Sequence, residues 1–109
     1  MNLESLEQFC QNKGIEIARI LLKKYDSADF EVSAREIEKE IYEVATSYSR
    51  ILFFEAKEFL QESVRDEART YLAPRFEKKE IQKMKHTDLV AHWIKSEAIR
   101  LLEGHNIFI

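Results

Sequence analysis

Residues 33–73 run for forty-one positions without a glycine or a proline, and Pro74, the only proline in the chain, closes the stretch. Ser33 followed three residues later by Glu36 forms a capping box, in which hydroxyl and carboxylate satisfy the free amide donors of a helix start. Apolar residues then recur at steps of three and four: Ile37, Ile41, Val44 and Ala45, Tyr48, Ile51 and Leu52, Ala56, Phe59 and Leu60, Val64, Ala68, then Tyr71 and Leu72. This spacing predicts one helix over about 33–73 with a single apolar face. At 1.5 Å per residue such a helix would reach about 60 Å, whereas a globule of about 100 residues has a radius of gyration near 13 Å. One compact copy of the chain cannot cover it.

Two arrangements relieve the conflict. The helix can break, near residues 47–49 or 61–63, or a second chain can cover what protrudes. The sequence favours the second, because Ile51, Leu52, Phe53 and Phe54 are consecutive and so point to every side of a helix. A helix apolar on all sides is buried on all sides. Burying a large apolar side chain is worth roughly 1.5–3 kcal/mol, a sizeable part of the marginal stability of a small domain. Phe53 and Phe54 are therefore expected at an interface, with a second copy of the chain or another helical protein as partner.

The 109 residues suit one domain, 1–109, able to bury roughly two thirds of its unfolded surface. Two glycines, one proline and no alternating β-branched run leave little material for hairpins. The expected fold is all-α: a helical bundle built around the 33–73 helix and completed by oligomerisation. No long apolar span is present, and Glu4 and Glu7 stand where a secretory leader would carry a basic and then an apolar region, so a cytoplasmic protein without a membrane partner is expected. Cys10 is the only cysteine, which excludes an intrachain disulfide and a thiolate cluster within one chain.

Around the long stretch the other elements are shorter. Asn2 can cap a first helix carrying Leu3, Leu6, Phe9 and Cys10; Gly14 then either sits inside one helix reaching Tyr25, at a cost of about 1 kcal/mol, or, as is slightly favoured, caps that helix and separates it from a second carrying Ile17, Ala18, Ile20, Leu21, Leu22 and Tyr25. Residues 26–32 read as a loop from which Phe30 and Val32 fold back. After Pro74 a short helix is anchored by Phe76, Ile81 and Met84. Thr87 is the expected cap of the last helix, with Asp88 favourable to its N-terminus, a stripe of Leu89 or Val90, Trp93, Ile94, Ala98, Leu101 and Leu102, and Gly104 at its end. Ile107, Phe108 and Ile109 form an apolar tail expected to pack on this chain or on a neighbour.

Charge is unevenly distributed along the chain. Residues 1–73 hold ten Lys and Arg against fifteen Asp and Glu, while residues 74–109 hold seven against five. Arg75, Lys78, Lys79, Lys83 and Lys85 gather beside Phe76 and could neutralise phosphates, giving salt-dependent nucleic-acid binding. Glu77 and Glu80 dilute that patch, and a solvated helix face accounts for it as well.

No cofactor or metal is expected. A ferritin-like centre needs Glu three residues before His, and Lys83, Leu89 and Leu102 precede His86, His92 and His105 at that distance. Cys10 lies on an apolar face, and no serine sits in a nucleophile elbow.

Two family resemblances bear on function. Arg100 and His105 have an R-x4-H spacing near the chain end, similar to the active motif of HEPN ribonucleases. That resemblance implies an arginine and a histidine converging at a dimer interface to cut RNA without metal, although Leu101 stands where a polar residue often follows the arginine. Residues 15–61, with Lys85, Asp88 and Leu89 opening a final helix, resemble a histone fold, which implies an obligate pair associated with DNA or chromatin complexes. The central helix overshoots that family's by about a dozen residues, and residues 74–86 are an insertion. The principal expectation is a non-enzymatic interaction, adaptor or regulatory subunit acting as a helical oligomer, with a nucleic-acid-associated module and a HEPN-like ribonuclease as alternatives.

Overall fold

The computed structural model describes residues 6–25, 34–55 and 58–105. They form five α-helices: α1 (Leu6–Tyr25), α2 (Ala34–Glu55), α3 (Glu58–Leu72), α4 (Lys78–Lys83) and α5 (His86–Gly104). The fold is the all-α bundle that composition and periodicity predicted. Its centre, however, is α5, which packs against α1, α2 and α3. Leu89, Val90, Ala91, Trp93, Ile94, Glu97, Ala98 and Leu102 are buried along it, a spread wide enough that neighbours must cover several sides.

The buried residues of α2 repeat every four positions, Ile37, Ile41, Ala45, Ser49 and Phe53, with Tyr42, Val44, Tyr48 and Leu52 packed partly beside them. At one end of this ladder the Lys95 ammonium donates to Glu38 Oε1 at 2.6 Å. At the other the Ser49 hydroxyl donates to the Thr87 carbonyl at 2.7 Å, and Phe53 meets the His86 ring edge-on. These contacts run α2 antiparallel to α5.

The single helix expected over 33–73 is instead two. Because α2 is heading past the N-terminal end of α5 at Phe53, a straight continuation would carry Tyr71 about 27 Å further from it. Tyr71 instead stacks on Trp93, in the middle of α5, with ring centroids 4.5 Å apart. So α3 lies back along α5 and does not continue the line of α2, and the ends of the two helices, Glu55 and Glu58, fall at neither place where a break is expected. The longest dimension of the molecule is 47 Å, too short for a 60 Å rod. Ala68 and Leu72, on the apolar face of α3, are fully buried, so this chain supplies cover that was assigned to a partner.

The break expected at Gly14 is absent, and α1 is one helix. Glycine in a helix interior costs about 1 kcal/mol against alanine. Here close packing requires it, since a Cβ at Gly14 would lie 2.7 Å from Glu97 Cβ and 3.0 Å from the Ala98 nitrogen. Lys24 pairs with Glu40 at 2.9 Å and the Lys13 ammonium lies 4.7 Å from the Tyr48 ring centroid, so α1 runs antiparallel to α2. With 20 and 22 residues, α1 and α2 are nearly equal, unlike the short helix and long helix through residue 61 that the histone-like reading implied.

The caps of α5 also differ from expectation. Lys85, not Thr87, is the N-cap, because the Asp88 carboxylate accepts the Lys85 backbone N–H at 3.2 Å. Gly104 is the last helical residue, and His105 is the C-cap, its N–H donating to the Leu102 carbonyl at 3.0 Å. Ile81 is buried, and Phe76 and Met84 pack beside the core as anchors of the α4 region. Ser33, the 26–32 loop with Phe30 and Val32, Asn2, and the tail of Ile107, Phe108 and Ile109 lie outside the described residues. Among the described residues no helix is long and apolar enough to cross a membrane.

Candidate functional site

One side of α5 carries His92, Lys95, Ser96, Ile99, Arg100 and Glu103 at helical spacing. These residues floor a trough made of two adjoining clefts, each of about 430 Å³. Tyr71 at the end of α3, with Arg75 and Phe76 beyond it, walls one cleft; Arg35, Lys39 and Tyr42 of α2 wall the other. Glu38 and Lys95 line both, so their ion pair is the partition. The reversal after α2 creates the trough, because it brings the start of α2 and the end of α3 to the same stretch of α5.

The trough opposes the charge of the chain. Its lining holds five cations, Arg35, Lys39, Arg75, Lys95 and Arg100, against two carboxylates, Glu38 and Glu103, in a protein of net charge −3. Lys95 is the least accessible of the paired cations, its side chain 16% exposed. Partial burial strengthens its interactions relative to those of a fully solvated lysine.

Beneath the trough lies a buried carboxylate. Glu97 accepts the Tyr71 O–H at 3.0 Å and pairs with the Arg100 guanidinium at 3.0 Å. Tyr71 is held between the Trp93 ring and the Arg75 guanidinium, which lies 4.0 Å from its centroid and donates to the Tyr71 carbonyl at 2.7 Å. Burial, and then the Glu97 charge, push the Tyr71 hydroxyl up to about 12. It therefore stays a neutral donor across the physiological range.

His92 packs against Tyr42 and Phe76, with ring centroids 4.9 and 5.1 Å away. Burial, and then the Lys95 cation, hold it below the ordinary histidine range. The Tyr42 hydroxyl, 3.5 Å from Asp88 Oδ1, is shifted upward by burial and then by the Asp88 charge.

Of the residues singled out in sequence, only some line the trough. Arg100 lines the trough, tied to Glu97, whereas His105 is exposed at the C-cap and is not among the lining residues. Arg75, Lys78, Lys79, Lys83 and Lys85 are all exposed, and of these Arg75 alone lines the trough. Cys10 is buried and Trp93 anchors the core. No group of three His, Cys, Asp or Glu that could hold a metal ion occurs among the described residues.

The apolar run also divides. Phe53 is 8% exposed and covered by its own chain, while Ile51 is 53% and Phe54 91% exposed on the outer side of α2. Within one copy of the chain the run is covered on one side, by the burial of Phe53 and the partial burial of Leu52. Ile107, Phe108 and Ile109, the other residues assigned to an interface, lie outside the described residues.

Sequence reasoning missed Glu38, Tyr71, Lys95 and Glu97 as site residues. A signal for Glu97 was present: it follows Trp93 and Ile94 by four and three residues and precedes Ala98, which places a carboxylate within the apolar stripe of α5. Compared with known proteins, the chain matches no protein-family model, no curated protein and no solved structure.

Proposed function

We propose that this protein is a helical interaction subunit, an adaptor or regulator acting through surface recognition, and that it self-associates through the outer side of α2. The observation that supports this is Phe54, 91% exposed one helical turn from Ile51 at 53%. A solvated phenylalanine forfeits roughly 1.5–3 kcal/mol that burial would return. On a helix face it presents a ready apolar anchor. No overlong rod is left to be covered, since α3 packs on α5.

Light scattering of the purified chain at micromolar concentration tests the reading. The expected mass is a multiple of 13.0 kDa, falling to the single-chain value in Phe54→Ser. A parent protein that is monomeric under these conditions overturns self-association.

The second reading, contact with nucleic acid, draws on the exposure of Arg75, Lys78, Lys79, Lys83 and Lys85. It requires affinity for an oligonucleotide that falls steeply as salt rises. Binding indifferent to salt excludes it. The third, a HEPN-like ribonuclease using Arg100 and His105, requires RNA cleavage by the pure protein that Arg100→Ala abolishes. An inert parent protein ends it.

A further inference from the structure

The trough on α5 has a polarity that the self-association surface on α2 does not explain. We propose that it is the docking site for an acidic, amphipathic segment of a partner protein. This deepens the reading of the chain as an interaction subunit and uses a different surface from Phe54.

Charge complementarity identifies the occupant. Five of the lining side chains are cationic and two are anionic, in an acidic protein, so the local field selects a negatively charged ligand. Two of the cations are paired with carboxylates, Lys95 with Glu38 and Arg100 with Glu97, at 2.6 and 3.0 Å. A nucleic-acid backbone, uniformly negative, would meet Glu38 and Glu103 as repulsive neighbours. A peptide can set its own carboxylates against the cations and place neutral or apolar residues opposite the acids.

Shape and polarity point the same way. From His92 to Glu103 the floor spans eleven residue steps, about 16 Å of helix, which suits three turns of a docked helix or a short extended segment. Ile99 and Phe76 supply apolar contacts among the charges. The Glu38–Lys95 partition gives the site a defined first move. An incoming carboxylate takes Lys95 from Glu38, whose side chain is half exposed and free to turn into solvent. The two clefts then join.

Arg75 is the residue to reverse. It is exposed, it lines the trough, and it bonds only to the Tyr71 ring and carbonyl among the contacts described for it. The experiment is fluorescence anisotropy with the full-length protein and a labelled fifteen-residue peptide that repeats Glu and Leu at helical spacing. A peptide with Lys in place of Glu and a single-stranded oligonucleotide of equal charge serve as the other probes. The proposal expects saturable binding of the acidic peptide, weakened about tenfold by Arg75→Glu and by raised salt. Lys79→Glu, an equal charge change on α4 away from the trough, should change it less than about twofold.

Circular dichroism of both variants separates a lost site from a lost fold. Equal loss in both variants means non-specific charge attraction and overturns the site. Tighter binding of the oligonucleotide than of the acidic peptide overturns the choice of ligand, and failure of the parent to bind the acidic peptide overturns the proposal outright. A monomeric protein that still binds the acidic peptide refutes self-association alone, whereas an oligomer that does not bind it refutes the trough alone.

Discussion

Replacing Gly14 with alanine should destabilise this protein, against the ordinary rule for helices. In an open helix interior the change gains about 1 kcal/mol, because alanine loses less backbone entropy and glycine has no side chain to contribute. In α1 the new Cβ would stand 2.7 Å from Glu97 Cβ and 3.0 Å from the Ala98 nitrogen. Ordinary carbon contacts lie at about 3.5–4.0 Å. Neither obstacle is the far end of a flexible side chain, so α1 and α5 must separate by about 1 Å. Overpacking of this kind costs typically about 1–3 kcal/mol, and the strain falls on Glu97, which holds Tyr71 and Arg100. Subtracting the propensity gain leaves a net loss of about 1 kcal/mol, equivalent to roughly 4–8 °C in Tm for a domain of this size. Gly104→Ala is the internal control, since nothing lies within 4 Å of a Cβ there, and it should be neutral or slightly stabilising. Thermal unfolding by circular dichroism reads both. A Gly14→Ala variant as stable as the parent would refute the close crossing of α1 over α5.

Tyr71→Phe removes one of the two bonds to the buried Glu97 carboxylate, and urea unfolding should show a loss of about 1–3 kcal/mol, as for a buried charged acceptor deprived of its donor. Because the folded Tyr71 hydroxyl is raised to about 12 from 10, the unfolded chain ionises first. Its contribution is present below pH 10 and is lost as pH rises toward 12, a slope that Tyr71→Phe should remove. His92 has the opposite dependence. With its folded value below 6.5, the unfolded chain binds the proton first, so stability present above pH 6.5 declines as pH falls below it. The slope of urea midpoints between pH 6.5 and 5 should flatten in His92→Leu; an unchanged slope would show that the imidazole is not held neutral.

The all-helical class was legible because helical spacing, scarce glycine and a lone proline agree with one another along the whole chain. The core face of α2 was legible for the same reason, through Ile37, Ile41 and Ala45. Periodicity could not show where the 33–73 stretch reverses, since residues 56 and 57 are Ala and Lys, both good helix formers. The reversal is a tertiary event. What the structure shows is its result, the packing of Ala68, Leu72 and Tyr71 into the core that α5 centres.

Gly14 misled for a related reason: in sequence it resembles a cap, and only the neighbouring helix reveals that it is a point of close approach. The trough drew its residues from three helices and the segment after Pro74. Linear spacing grouped Arg75 with the lysines of α4 and Arg100 with His105, whereas the fold groups the two arginines with Lys95 and Glu38.

The most direct test is a distance across the reversal. Spin labels at Lys39 and Thr70, both exposed, placed in a Cys10→Ser background and read by pulsed electron resonance, report whether α2 and α3 reach the same stretch of α5. The fold predicts about 20 Å, two interhelical spacings across α5. A distance near 46 Å, the span of thirty-one residues of unbroken helix, would contradict it and remove the trough with it.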